Sequence, residues 1–210
     1  LVRESALSVA YSKAAAACKT EFRGETCNFY GLLKHMESTD RAERREAFEK
    51  WAALYEAAAP ELDRIYDELI AVRADMAEKL GFESYTALAY RNRQRLDYTP
   101  EHVEKFREQV RTVVTPAVSK MLEAQRRRLG VDKLRYYDES LVFPGGNADP
   151  AGSKDDMLKA ASEMYSALSP ETKEFFDFMT EHELFDLETR PGKHLGGYCT
   201  SLPAYKAPFI

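Results

Sequence analysis

The stretch that decides the fold is residues 38–81, which read STDRAERREAFEKWAALYEAAAPELDRIYDELIAVRADMAEKLG. Between Ala47 and Leu80 the apolar residues recur at steps of three and four, with Glu, Arg and Lys between them. Such spacing places one apolar stripe on an α-helix and leaves the opposite face solvated. Pro60 lies inside the pattern and should interrupt it, so we expect two helices that meet there.

The ends of this stretch carry helix punctuation. Asp40 is a good N-cap, and Glu43, three residues later, can reach back to it as in a capping box. Gly81 suits the C-terminal cap because glycine readily adopts a positive φ.

A third long helix is predicted from Thr99-Pro100-Glu101 to about Leu129, closed by Gly130. Pro116 lies inside it, so we expect a bend there or just before it. Its apolar residues should face inward: Val103, Phe106, Val110, Val113, Val114, Val118, Met121 and Leu122.

The remaining elements are shorter. Ser153 with Asp156 opens a helix to about Leu168, and Ser169-Pro170-Glu171 opens another through Phe175, Phe176, Met179 and His182. Residues 136–152 hold several helix breakers and should form an ordered loop. Four strand segments are predicted, two around a turn at Arg23-Gly24 and two at the C-terminus: Cys18–Phe22, Glu25–Phe29, Gly197–Leu202 and Ala207–Ile210.

Together these patterns predict a mainly α fold. We expect a bundle of long helices with a short β-hairpin near the N-terminus and one or two strands at the C-terminus. We divide it into residues 1–135, which hold the hairpin and long helices, and residues 136–210, which hold the loop, later helices and strands. With 210 residues and 44% hydrophobic content, the chain can bury a sizeable core.

Composition excludes several classes of function. A net charge of -5, from 30 basic and 35 acidic residues, gives no electrostatic footprint for nucleic acid. No apolar run is long enough to cross a membrane. The three cysteines indicate no disulfide framework and favour the cytoplasm. Leu1 is not an initiator methionine and the chain stops on an apolar run, so we expect a piece of a longer protein.

The chain's own residues offer no complete catalytic constellation. His182-Glu183-Leu184-Phe185-Asp186 begins like the zinc motif His-Glu-x-x-His, but Asp186 stands where the second histidine should be. Cys199 could be a nucleophile, yet His194 lies five residues away on an extended segment, too far to pair directly. His35 and His102 are interpreted as surface residues. We therefore name no catalytic residue and no metal ligand.

Two groups of motifs resemble a known family. Arg190-Pro191-Gly192-Lys193-His194-Leu195-Gly196-Gly197-Tyr198-Cys199, followed by Ala207-Pro208-Phe209-Ile210, is similar to the segment that leads into the active site of oligoendopeptidase F and thimet oligopeptidase. Phe22-Arg23-Gly24-Glu25 and Met36-Glu37-Ser38-Thr39-Asp40-Arg41 resemble that family's hairpin and helix start. The similarity covers nearly the whole chain, in the family's order.

The resemblance implies a zinc oligopeptidase that cuts internal bonds of short peptides, with two helix-borne histidines and a glutamate as zinc ligands. Those ligands would follow these 210 residues, so this chain alone should be inactive. It would supply one side of a peptide channel, with Gly196, Gly197 and Tyr198 as substrate-binding residues. Its partners would be short peptides and the remainder of its own catalytic domain, even as a separate chain. The alternative function is a helical scaffold or interaction protein without catalysis.

Overall fold

One helix of 39 residues organises the N-terminal part of the chain in the computed structural model, which describes residues 1–149, 151–188, 193 and 196–210. Contacts divide the chain into two units, residues 1–147 and 148–210. The first unit contains α1 (Val2–Ala17), β1 (Thr20–Phe22), β2 (Glu25–Cys27), α2 (Phe29–His35), α3 (Arg41–Lys79), α4 (Tyr85–Asn92), α5 (Pro100–Gln109), a π-helical turn (Val110–Val114), α6 (Thr115–Arg128) and a 3-10 turn (Tyr136–Asp138). The predicted mainly α fold with small hairpins is confirmed.

Helix α3 runs through Pro60, so the predicted interruption is wrong. Proline removes one amide donor, here the one that would bond the carbonyl of Glu56. Both residues are exposed, so water can satisfy that carbonyl. The apolar stripe continues on both sides of the proline and buries Ala47, Leu62, Ile65, Leu69 and Val72. Packing of α1 along α3 further supports the continuous helix.

The start of α3 differs from the predicted capping box. Asp40 does cap the helix, and its side chain accepts a hydrogen bond from the Ala42 amide at 2.9 Å. Glu43 does not return to Asp40. It accepts a hydrogen bond from the Ser38 hydroxyl at 2.9 Å and lies 2.7 Å from Nδ1 of His35, because the preceding helix α2 brings that ring close.

The N-terminal hairpin is confirmed and shorter than predicted. Strands β1 and β2 are antiparallel, with Phe22 opposite Glu25. Arg23 and Gly24 both have a positive φ, as a two-residue type I′ turn requires. The strand expected to reach Phe29 ends at Cys27, and α2 begins instead at Phe29, capped by Asn28.

The C-terminal end of α3 is closed as predicted. Gly81 has φ +74, its amide donates to the Glu78 carbonyl at 3.0 Å, and the Phe82 amide donates to the Ala77 carbonyl at 2.9 Å. These two bonds form a Schellman motif, in which glycine avoids the strain of the left-handed conformation.

The inward face predicted for the third helix is wrong for this chain. The helix spans α5, the π-helical turn and α6, and the π-helical turn directly precedes Pro116. Phe106 is 64% exposed and Met121 70% exposed, and Val113, Val114 and Val118 are also exposed. Val103, Val110 and Leu122 are half-buried, so the periodicity identified an apolar face that the described residues cover only in part.

Elements α1, α2 and α4 are short or weakly patterned helices that our sequence analysis did not predict. In α1 the apolar and polar residues are scattered around the helix, so no stripe stands out. Two ion pairs join α1 to α3, between Arg73 and Glu4 at 2.8 Å and between Arg3 and Glu68 at 3.6 Å.

A buried carboxylate ties the loop after α6 to the start of α3. Asp138 is 0% exposed and accepts hydrogen bonds from Arg41 Nη2 at 2.8 Å, Arg44 Nη2 at 2.8 Å and the Arg135 amide at 2.9 Å. Burial by itself would raise the pKa of Asp138, but the bonds from Arg41, Arg44 and the Arg135 amide together hold it below the usual value.

The carbonyl groups of the same loop are satisfied by Gln125 of α6. Its side-chain nitrogen contacts the carbonyl oxygens of Leu141 at 2.7 Å and Glu139 at 3.0 Å. Asn147 donates to the Ser140 carbonyl at 2.7 Å. Within the stretch predicted to be an ordered loop, residues 138–147 are therefore held by side-chain bonds rather than by a regular ladder.

The second unit contains α7 (Lys154–Leu168), α8 (Pro170–Glu181), β3 (Thr200–Leu202), a 3-10 turn (Pro203–Tyr205) and β4 (Ala207–Phe209). Capping boxes at Ser153 and Ser169 open both helices as predicted. Phe176 and Met179 are buried, whereas Phe175 is half exposed. The predicted division at residue 135 stays a prediction about domains.

We expect Asp138→Ala to lower the free energy of unfolding by about 3–5 kcal/mol, because it leaves the buried Arg44 without its anion. Glu139→Ala is the matched control, since Glu139 is exposed and adjacent, and it should change stability by less than about 0.5 kcal/mol. Urea denaturation of the three proteins measures both values. Equal effects of the two substitutions would contradict the role given to Asp138.

The stability difference between the unchanged chain and Asp138→Ala should depend on pH. Because the folded pKa of Asp138 is lowered, its contribution is present above the unfolded value of about 3.9 and is lost as pH falls through the folded pKa. The stability difference between the unchanged chain and Asp138→Ala should therefore shrink below about pH 4.

Candidate functional site

The second unit ends in a two-stranded hairpin that provides the candidate site. Strands β3 and β4 are antiparallel, with Thr200 opposite Phe209, Ser201 opposite Pro208 and Leu202 opposite Ala207. The strand predicted from Gly197 begins at Thr200, three residues later. Residues 196–199 lead into it without strand pairing among the described residues.

Pro208 determines which backbone groups of β3 stay free. Proline has no amide hydrogen, so Ser201 and Pro208 cannot exchange a pair of hydrogen bonds. They must form the non-hydrogen-bonded pair of the antiparallel ladder, flanked by the bonded pairs at Thr200 and Leu202. The amide and carbonyl of Ser201 therefore point away from β4. Within the described residues, β3 has no other strand beside it.

The far side of β4 is held by the segment that follows α8. The Ile210 amide donates to the Leu184 carbonyl at 3.1 Å, and the Ile210 carbonyl accepts from the Asp186 amide at 2.7 Å. Lys193 binds the same segment, because its Nζ donates to the carbonyls of Asp186 at 2.7 Å and Glu188 at 2.8 Å. The hairpin is thus fixed along β4, whereas no described residue pairs with the outer edge of β3.

The predicted substrate-binding residues are exposed. Gly196 has φ +97, so only glycine fits there without strain, and nothing lies within 4 Å of a Cβ built on Gly196 or Gly197. Tyr198 is 65% exposed and is not a core residue of this chain. All three line the approach to the open edge of β3. Nothing tests whether they contact a substrate, so that role stays a prediction.

A cavity of about 370 Å³ lies against the hairpin. It is lined by apolar and aromatic side chains with one imidazole: Phe178, His182, Leu184, Leu202, Tyr205 and Ala207. A cavity of this size and lining suits an apolar side chain.

The histidines do not provide a zinc site of the His-Glu-x-x-His type. His182 is the C-cap of α8, so residues 182–186 leave the helix and cannot present a single helix face. His102 accepts a hydrogen bond from the Thr99 amide at 3.2 Å, and His35 bonds Glu43. His194 lies outside the described residues, so its expected separation from the exposed Cys199 stays a prediction. The described residues therefore do not fit a catalytic zinc of that type.

One group of metal-ligating side chains does converge, at the N-terminal hairpin. Glu25, Cys27 and His35 each offer one ligand atom, and these three atoms lie within 4.8 Å of one another. Burial, with help from Glu25 and Glu21, raises the pKa of the Cys27 thiol. Our sequence analysis missed this group because its members come from a strand and the end of a separate helix. A Cys-x7-His spacing that begins in a predicted strand is the sequence signal for it.

No helix among the described residues combines the length and apolar character needed to cross a membrane.

Comparison with known proteins identifies relatives. The family model described as Peptidase family M3 matches residues 34–142. A solved structure of an oligoendopeptidase F is 44% identical with TM-score 0.95, and covers 99% of this chain and 37% of that chain. PZ peptidase A with an inhibitor gives the same values. An oligoendopeptidase F from Bacillus anthracis str. Ames is 41% identical with TM-score 0.92, over 98% of this chain and 38% of that chain.

None of the curated proteins matches the chain. The chain spans less than two-fifths of the length of the three solved structures.

We expect Gly196→Ala to destabilise the second unit by about 1–2 kcal/mol, because a Cβ at φ +97 is strained. Gly197→Ala, the adjacent control, should change stability by less than about 0.5 kcal/mol, since its Cβ would meet open space and its φ is not positive. Hydrogen exchange at the Ile210 amide measures the local effect. Equal protection in the two variants would contradict this account.

Proposed function

Because the chain belongs to peptidase family M3, we propose that it is the front part of a cytoplasmic zinc oligoendopeptidase, which hydrolyses internal bonds of short peptides. Its similarity to solved oligoendopeptidase F structures over 98–99% of its length supports this assignment. Its free thiols at Cys18, Cys27 and Cys199 fit a reducing compartment.

The open edge of β3 is the observation that carries the proposal. Ser201 offers one amide and one carbonyl away from β4, and an extended peptide that added a strand here would bond both groups. Such backbone pairing does not depend on the peptide's sequence, which suits an enzyme that accepts many short peptides. The exposed edge is also short, three residues, which limits unwanted pairing with other chains.

The flanking residues extend this binding surface. Gly196 and Gly197 present no side chains, so a substrate backbone can approach residues 196–197 closely. Tyr198 follows directly and is free to contact a substrate side chain. The cavity beside Leu202 and Tyr205 would hold an apolar side chain of the peptide.

Zinc enters the proposal only through the longer protein. The described histidines cap helices or bond Glu43, so this chain's role is to bind and align the peptide. The catalytic zinc ligands would lie beyond these residues, and the 210-residue chain alone would not cleave peptides.

A cleavage assay with a quenched fluorescent peptide tests the activity. The longer protein should cleave the peptide at an internal bond, a chelator should abolish cleavage, and Zn²⁺ should restore it. The 210-residue chain should give no cleavage. Chelator-resistant cleavage, or no cleavage by the longer protein, would refute the enzyme proposal and favour the helical scaffold.

Ser201→Pro tests the binding edge in the longer protein. It removes the outward amide of β3 and leaves the bonds to β4 intact, because prolines are tolerated on the open side of an edge strand. We expect kcat/KM to fall about tenfold, the effect of losing one hydrogen bond to substrate. Ser201→Ala keeps the amide and should retain kcat/KM. If both variants matched the unchanged enzyme, peptide pairing at Ser201 would be ruled out, while the zinc activity could still stand.

A further inference from the structure

The N-terminal hairpin and helix α2 bring three different ligand types to one point. Glu25 opens β2, Cys27 ends it, and His35 ends α2. The connection through Asn28 and helix α2 brings His35 back beside β2, so that the three ligand atoms lie within 4.8 Å of one another. A thiol, an imidazole and a carboxylate are the three side-chain groups that bind Zn²⁺ in proteins.

The carboxylate of Glu43 orients the imidazole of His35. Its Nδ1 lies 2.7 Å from Oε1 of Glu43, so with the proton on Nδ1 the ring would present Nε2 to a metal ion. Glu43 is itself held by the Ser38 hydroxyl at 2.9 Å and by Arg23 at 3.8 Å. A carboxylate behind a histidine is the arrangement that typically orients metal-binding imidazoles.

The sulfur of Cys27 is closely packed on one side. Gly31 faces Cys27, and a Cβ at position 31 would lie 3.3 Å from its Sγ and 3.2 Å from its Cβ. Any larger residue at position 31 would press on the sulfur. Cys27 is only 4% exposed and belongs to the apolar cluster, whereas Glu25 is exposed. An ion would therefore enter from the Glu25 side and meet the sulfur at the inner end.

We propose that Glu25, Cys27 and His35 bind one Zn²⁺ ion, with Glu43 as the positioning residue for the imidazole. Metal–ligand bonds of 2.0–2.3 Å in a tetrahedral site put neighbouring ligand atoms roughly 3.3–3.8 Å apart. The three ligand atoms lie within 4.8 Å of one another, so side-chain rotations, including that of the exposed Glu25, would have to bring them closer on binding. Three protein ligands leave a fourth position for water. The Zn–S bond forms as the Cys27 thiol proton passes to solvent.

The bound ion would add a further link between elements of the first unit. It would link β2 to the end of α2 and, through Glu43, to the first turn of α3. Because the folded chain binds the ion and the unfolded chain lacks the assembled site, Zn²⁺ should raise the thermal midpoint of unfolding. Mg²⁺ should not, since hard cations avoid thiolate.

Cobalt titration of the reduced, metal-free 210-residue chain tests the site. Co²⁺ should produce a thiolate-to-cobalt charge-transfer absorption that saturates at one ion per chain, and Zn²⁺ should displace it. Cys27→Ser should lose this absorption, and the control Cys199→Ser should keep it. Glu43→Gln should keep the absorption and weaken Co²⁺ binding about 10–100-fold, as expected for a positioning residue.

The proposal fails if no charge-transfer absorption appears, or if it persists in folded Cys27→Ser, because another sulfur would then be the ligand. If circular dichroism shows that Cys27→Ser is unfolded, the exposed Glu25→Gln decides the matter. Weaker binding than in the unchanged chain supports the site, and unchanged binding overturns it. None of these readouts depends on peptidase activity.

Discussion

The buried carboxylate of Asp138 is the interaction on which the first unit depends. A carboxylate with no solvent contact is costly unless charged donors replace its water. Here two guanidinium groups of α3 and one backbone amide do so. The donors Arg41 and Arg44 stand more than ninety residues from Asp138 in sequence. The hydrogen bonds to this one carboxylate therefore fix where the loop after α6 meets the start of the longest helix.

The first turn of α3 contacts both the loop after α6 and the N-terminal hairpin region, because it carries charges of both signs. Arg41 and Arg44 face Asp138, whereas Glu43 faces His35 and the N-terminal hairpin. Arg23 in the hairpin turn bonds Glu46 at 3.0 Å on the same helix. The apolar residues below, including Leu32 and Ala47, then pack where these polar contacts have aligned the elements. The proposed zinc site lies at the same junction.

Features set by neighbouring residues were predictable from the sequence. The caps at Ser153 and Ser169, the turn at Arg23-Gly24 and the stop at Gly81 all depend on bonds between residues a few positions apart. The same reasoning failed at Pro60, where packing on both sides of the proline outweighs one lost hydrogen bond. It also failed at Glu43, because this side chain bonds His35 and Ser38 rather than returning to its predicted partner Asp40. Arg44 looked like a solvated charge and is buried, because its partner lies far away in sequence.

The candidate site could be predicted only in part from the sequence, again because burial depends on partners that lie far away in the chain. Periodicity tells which face of a helix is apolar but not what covers it, and the apolar residues of α5 and α6 remain exposed among the described residues. The outward groups of β3 can be inferred more directly, because Pro208 is visible in the sequence and proline has no amide hydrogen. Once the register with Ser201 is known, Pro208 determines that the amide and carbonyl of Ser201, rather than those of Thr200 and Leu202, point away from β4. A proline within a strand thus indicates which residues of its partner strand point outward, whereas an apolar stripe requires its partner to be interpreted.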